Sequence, residues 1–260
     1  MPYFGDMTIE QLKQTDIDAF ARAELKRGVA VKTINNRLAV MSSMIKYVTG
    51  ERSKLRFKLE GKGAEVHAVD PADIEKLLAK CDDHRYRVVI LLASEAGLRV
   101  GEIRGLQWTD IKDGQLTVRR ALDKETGEVI APKHNKVRTV PLSPRIVAAL
   151  AELPRRGLWV VSRLDGGALN YYELSRAVNA IYDRANVTRP RSPVHCMRHT
   201  FGAVMARRVP LGVLQQLMEH ADVQTTMRYV DVSEDDKREA IAAVFGARGS
   251  HVAAASKVAS

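Results

Sequence analysis

Imidazoles, a guanidinium and a phenol are gathered into the stretch HCMRHTFGAVMARRVPLGVLQQLMEHADVQTTMRYV, which runs from His195 to Tyr229. A phenol that ionises near pH ~10 is a poor nucleophile at neutral pH unless neighbouring cations or a base help it lose its proton. Around Tyr229 the residues able to help are His220 and the arginines. A guanidinium keeps its charge, and its fork matches two oxygens of one tetrahedral phosphate. Arg198 and Arg99 therefore make a rational pair for gripping a phosphodiester, on whose oxygens charge accumulates during attack. The chemistry these residue types allow is phosphoryl transfer to a tyrosine, with no divalent metal required.

Each residue taken singly has a plainer reading. A lone tyrosine near a helix end is usually core or surface, and Arg99 alone is better read as an ordinary salt bridge to Glu102 or Glu95. His195 and His199 have the four-residue spacing of zinc ligands. Against zinc, Arg198 would set a fixed positive charge beside the dication, and the glutamate of an H-E-x-x-H site is missing. No Gly-rich phosphate loop occurs, so ATP is not implied.

The elements that must position these groups follow from periodicity. His195, Arg198 and His199 share one face if their segment is helical, with Phe201, Val204 and Met205 continuing an apolar stripe and Pro210 ending the run. Leu211, Val213, Leu214, Leu217 and Met218 read as a second helix, with His220 just beyond it and Tyr229 closing a third short segment. Upstream, Asp70-Pro71 is a helix start, and a further helix from about Tyr86 ends at Gly97. Arg99 follows at the turn, between Leu98 and Leu106, whose burial would fix the guanidinium. Residues 115–119, 128–131 and 137–142 are β-prone and separated by turn-rich pieces, which predicts a small antiparallel sheet with Lys133 on or beside a hairpin. Near the N-terminus, Thr8 to Gln11 offers a capping box for a helix ending near Gly28. A second helix from about Val31 to Val48 carries Lys32, Asn35, Asn36 and Arg37 in its opening turns, where side chains can meet phosphates. An ordinary polar face explains any one of these four as well.

The chain has 260 residues and is 45% hydrophobic, enough for one large domain or two small ones. Its 41 Lys and Arg against 31 Asp and Glu give a net charge of +10, which favours a polyanionic partner. Aromatics at 5% argue for duplex binding through phosphates over single-strand stacking. No apolar run approaches the ~18 residues of a membrane span, and the N-terminus lacks the pattern of an export signal. Two cysteines, Cys81 and Cys196, make no disulfide framework and fit a cytoplasmic setting.

The pattern H-x-x-R-H-T, a histidine some twenty residues on, and then T-T-x-x-Y resembles the C-terminal signature of the tyrosine recombinases, the phage integrase family. The resemblance covers about Val31 to Ala243. It implies a mostly α fold with a small antiparallel β-sheet (α+β): a tyrosine-recombinase-like catalytic domain, residues 70–246, preceded by a short helical core-binding clamp, 1–50, and a linker, 51–69. Residues 247–260 are expected to be a flexible tail. By motif, GLRVGE supplies Arg99 and orienting Glu102, PKHNKVRTVPL supplies Lys133 as general acid with Lys136 a weaker candidate, and HCMRHT supplies His195 and Arg198. MEH supplies His220, TTMRY supplies the nucleophile Tyr229, and His199 packs or hydrogen-bonds in support.

The implied reaction is site-specific cleavage and rejoining of double-stranded DNA through a 3′-phosphotyrosyl bond, without cofactor or metal. A homotetramer on two duplexes is implied as well, with Ser233 to Phe245 docking on a neighbour. Two features depart from the family pattern. Glu219 stands where glycine usually precedes the histidine, and a left-handed backbone there would cost about 1 kcal/mol. The segment before Gly50 is short for a complete clamp. The rival readings are a catalytically silent DNA-binding member of the same fold and a type IB topoisomerase-like activity.

Overall fold

The computed structural model describes residues 3–5, 7–60, 67–132, 136–219, 222–230, 238 and 241–242. Two of the expected site residues, Lys133 and His220, lie outside the described residues, as do the tail 247–260 and most of the segment 233–245. The chain divides into two units, Met1–Glu65 and Val66–Ser260.

The first unit is built on α1 (Gln14–Lys26) and α2 (Val31–Thr49). Ile17, Phe20 and Ala21 of α1 recur at helical spacing and bury against Ile34 and Leu38 of α2. The capping box expected at Thr8 forms only in part. The Thr8 amide donates to Gln11 Oε1 at 3.0 Å, yet the helix begins at Gln14, where Asp16 accepts from the Lys13 amide at 2.9 Å. Of the stretch expected as linker, Leu55, Phe57 and Leu59 pack against this same cluster, so its first part belongs to the small core.

In the second unit the cap read from the sequence at Asp70 is in place, and a further one forms at Asp83. Asp70 accepts from the Ala72 amide at 2.7 Å to open α3 (Pro71–Ala79), and Asp83 does the same for Arg85 at 2.9 Å to open α4 (His84–Ser94). Helix α4 buries every residue from Val88 to Ala93, so it is apolar all round and forms the centre of the domain. It packs against α6 (Pro144–Ala151), α7 (Tyr171–Arg184) and α8 (Pro193–Ala206). Between α4 and α6 come α5 (Val100–Arg104) and five short strands: β1 (Ile111–Lys112), β2 (Gln115–Val118), β3 (Ala121–Leu122), β4 (Val129–Ile130) and β5 (Arg138–Pro141).

The β-region is antiparallel throughout, but it divides in two. One sheet has the order β1-β2-β5, with Leu116 opposite Val140 and Val118 opposite Arg138. Residues 129–130 pair instead with Ala121 and Leu122 in a separate ribbon. Val129 and Ile130 are exposed while Ala121 and Leu122 are buried, so the outer strand adds no core face. Helix α8 is tied to the start of the domain by Thr200, whose hydroxyl donates to the Val69 carbonyl at 2.7 Å and accepts from its amide at 2.9 Å. After α8 the chain turns into α9 (Leu211–Met218) and the short α10 (Val223–Met227).

Candidate active site

Helix α8 is the platform. Its Val194, Met197 and Phe201 face the core, and the other side of the helix carries His195 and His199. Their rings meet edge to face with centroids 4.4 Å apart. His195 is exposed and His199 half-buried. Tyr229, two residues past α10, lies over the same helix, and its hydroxyl is 2.5 Å from His199 Nδ1. The approach is close because residue 202 is glycine: a Cβ there would stand 2.7 Å from the Tyr229 ring. Burial pushes the Tyr229 phenol above its ordinary pKa, while Arg198, Arg228 and Arg99 pull in the opposite direction.

Arg198, expected on the face of the two histidines, instead turns inward and is only 2% exposed. It donates to the Gly97 carbonyl and, at 2.6 Å, to the Met218 carbonyl. These two acceptors lie just before Arg99 and Glu219, so one buried guanidinium pins together the turn after α4 and the end of α9. Burial, reinforced by the charge of Arg99, lowers its pKa to about 10, which still leaves it protonated at neutral pH. Gly97 permits this arrangement through a φ of +65°, and a Cβ there would come within 2.5 Å of the Phe201 ring.

Arg99 is held by its buried neighbours Leu98 and Leu106. Its amide donates to Glu102 Oε2 at 2.9 Å, and its Nη1 donates to Glu102 Oε1 at 2.7 Å and to Glu219 Oε2 at 2.8 Å. The simple ion pair with Glu102 therefore does form, and a second carboxylate joins it.

Arg138, not singled out among the expected site residues, completes the cluster. Its Nη2 donates to Glu102 Oε2 at 2.7 Å and its Nη1 to Glu219 Oε2 at 2.5 Å. A signal was present in β5, where strand alternation gives Arg138 the same face as buried Val140. An arginine at an inward position of a strand needs an anionic partner. Burial would raise the Glu102 carboxyl, but Arg138 and then Arg99 overcome it and hold its pKa at about 2. Glu219 is the C-cap of α9 with φ 50° and ψ 43°, the left-handed conformation considered for this position.

The structure thus gathers Arg99, His195, Arg198, His199 and Tyr229 within the second unit. The four residues expected to meet phosphates on α2 differ among themselves. Lys32 and Asn36 are exposed. Asn35 instead exchanges two hydrogen bonds with the backbone of Leu59, at 3.1 and 2.7 Å, and Arg37 pairs with buried Glu24.

The phage integrase family is matched over residues 67–236. A XerC-like tyrosine recombinase of Caldanaerobacter subterraneus subsp. tengcongensis is 25% identical, over 90% of this chain and 71% of its own. The tyrosine recombinase XerC of Mesorhizobium japonicum is 26% identical, over 88% of this chain and 77% of its own. Among solved structures, the Tn1549 transposon integrase in complex with transposon right-end DNA superposes with a TM-score of 0.78 at 20% identity, covering 92% of this chain and 88% of that one. The XerH site-specific recombinase bound to difH superposes with a TM-score of 0.67 at 19% identity, covering 92% and 74%.

The fold is that of a tyrosine recombinase, mostly α with a small antiparallel β component. The chain belongs to the phage integrase family, the tyrosine recombinases.

Proposed function

We propose that this tyrosine recombinase cuts and reseals duplex DNA at specific sites with Tyr229 as nucleophile. The phenolic oxygen attacks the scissile phosphorus, the bond from phosphorus to the 5′-oxygen breaks, and a 3′-phosphotyrosyl bond forms. The phenolic proton passes to His199 Nδ1, and the departing 5′-oxygen takes a proton from Lys133 acting as general acid. Arg99 and Arg198 stabilise charge on the phosphoryl oxygens, with His195 and His220 in support. The new ester preserves the phosphoryl linkage, so a partner strand's 5′-hydroxyl reverses the step without an external energy source. Two duplexes held by four copies of the chain would bring such partner strands together.

The observation that carries this reading is the hydrogen bond between Tyr229 and His199, made on the helix that also supplies His195 and Arg198. The test is a duplex nicked close to the cleavage point, so that the released fragment diffuses away and the enzyme stays attached. A covalent adduct with the unaltered protein and none with Tyr229→Phe is the expected result. An adduct that persists in Tyr229→Phe refutes the assignment.

A further inference from the structure

Two guanidinia converge on a single carboxylate oxygen. Glu219 Oε2 accepts from Arg99 Nη1 at 2.8 Å and from Arg138 Nη1 at 2.5 Å. The two carboxylates in the cluster are held very differently. Glu102 is satisfied at both oxygens: Oε1 accepts from Arg99 and Arg138 at 2.7 and 3.2 Å, and Oε2 from the Arg99 amide and Arg138 at 2.9 and 2.7 Å. Glu219 Oε1 is buried with no hydrogen-bond partner among the described residues. Glu219 also carries a non-glycine residue into left-handed backbone, with φ 50°. Glu102 is thus built into the cluster, whereas Glu219 is bound on one side only and at a conformational cost.

We propose that Arg138 is a third guanidinium of the phosphate clasp, and that the Glu219 carboxylate stands where a phosphoryl group of the DNA binds. This rests on the reading of Tyr229, Arg99 and Arg198 given above. With Glu219 in place, the charges of Arg99 and Arg138 are balanced by those of Glu102 and Glu219. A phosphodiester carries the same single negative charge as the carboxylate it displaces, so the exchange keeps that balance. During attack the phosphoryl oxygens gain further negative charge, and Arg138 meets it together with Arg99 and Arg198. The Arg138 Nε is a buried donor without a partner among the described residues, so this guanidinium has hydrogen-bonding capacity that the two carboxylates leave unused.

The test compares a nicked duplex bearing a normal scissile phosphate with one bearing a neutral methylphosphonate there. If Arg138 touches the phosphate, Arg138→Gln slows adduct formation by roughly 100-fold on the phosphodiester and by only a few-fold on the methylphosphonate. Glu219→Gln, placed in Tyr229→Phe protein so that no cleavage intervenes, tightens binding of the phosphodiester duplex roughly tenfold. It leaves the methylphosphonate duplex unchanged. Should Arg138→Gln melt early, Arg138→Lys carries the same comparison, because it keeps a charge between the carboxylates and loses the fork. Equal losses on both backbones at an unchanged melting temperature, or no gain from Glu219→Gln, overturn the proposal. Failure of the unaltered protein to form any adduct overturns the Tyr229 assignment instead.

Discussion

The Tyr229 hydroxyl and His199 Nδ1 lie 2.5 Å apart, with their ring centroids 5.7 Å apart and the rings tilted by 44°. Burial makes the phenolate costlier to form, and in the proposed mechanism the imidazole takes the phenolic proton. Substitution of His199 by Ala is expected to slow adduct formation by about 100-fold or more, the usual scale for removing a proton acceptor. His199→Asn keeps a hydrogen-bonding group near the phenol without the basicity and should be nearly as slow. Single-turnover rates on the nicked duplex check this, and recovery of the rate in His199→Asn would reduce His199 to a positioning role.

Gly202 decides how near the phenol can lie to α8. The Cβ introduced by Gly202→Ala would sit 2.7 Å from the Tyr229 ring, so the ring must move. A displacement of about 1 Å is enough to cost roughly 100-fold in rate. The residue lies in the middle of a helix, where alanine is otherwise favourable, so thermal stability should fall little. A rate loss without a matching loss of melting temperature is the expected signature.

Acid stability should depend on Glu102. Its folded pKa of about 2 lies below the ordinary 4.5, so the stabilisation is fully present above pH 4.5 and is lost as the pH falls toward 2. The shift corresponds to about 3 kcal/mol, taking 1.36 kcal/mol per unit for a carboxyl that is 2% exposed. Urea midpoints measured from pH 5 to pH 2 should fall more steeply for the natural chain than for Glu102→Gln. Parallel curves would contradict the assignment.

Lys32 and Arg37 both belong to the first half of α2 and should respond differently to removal of their charge. Lys32 is exposed, so Lys32→Ala should lower DNA affinity and reduce the salt slope by about 0.9, with stability unchanged. Arg37 bonds Glu24, which is only 1% exposed, and Arg37→Ala leaves part of that charge unpaired. A stability loss of about 1–2 kcal/mol is expected in addition to any change in binding. Paired denaturation and salt-titration measurements separate the two.

Much of this was legible along the chain. The cap at Asp70, the helical face bearing His195 and His199, and the burial of Leu98 and Leu106 around Arg99 all depend on residues close in sequence. Local spacing is sufficient for such features because helix geometry places residues three and four apart on one face. The premature helix start at Thr8 and the merging of 128–131 into one sheet were misread for a related reason. A cap signal does not state how far its helix extends, and β-propensity does not name the partner strand.

The meeting of Arg138, Arg99 and Glu219 had no such local mark. Arg138 and Glu219 are separated by 81 residues, and the bond between them exists only because β5 and the end of α9 are brought to the same place. The amino-acid sequence by itself determined the kinds of groups available and the faces on which they lie. Only the tertiary structure decided that one carboxylate would rest between two guanidinia, because that depends on packing between elements far apart in the chain.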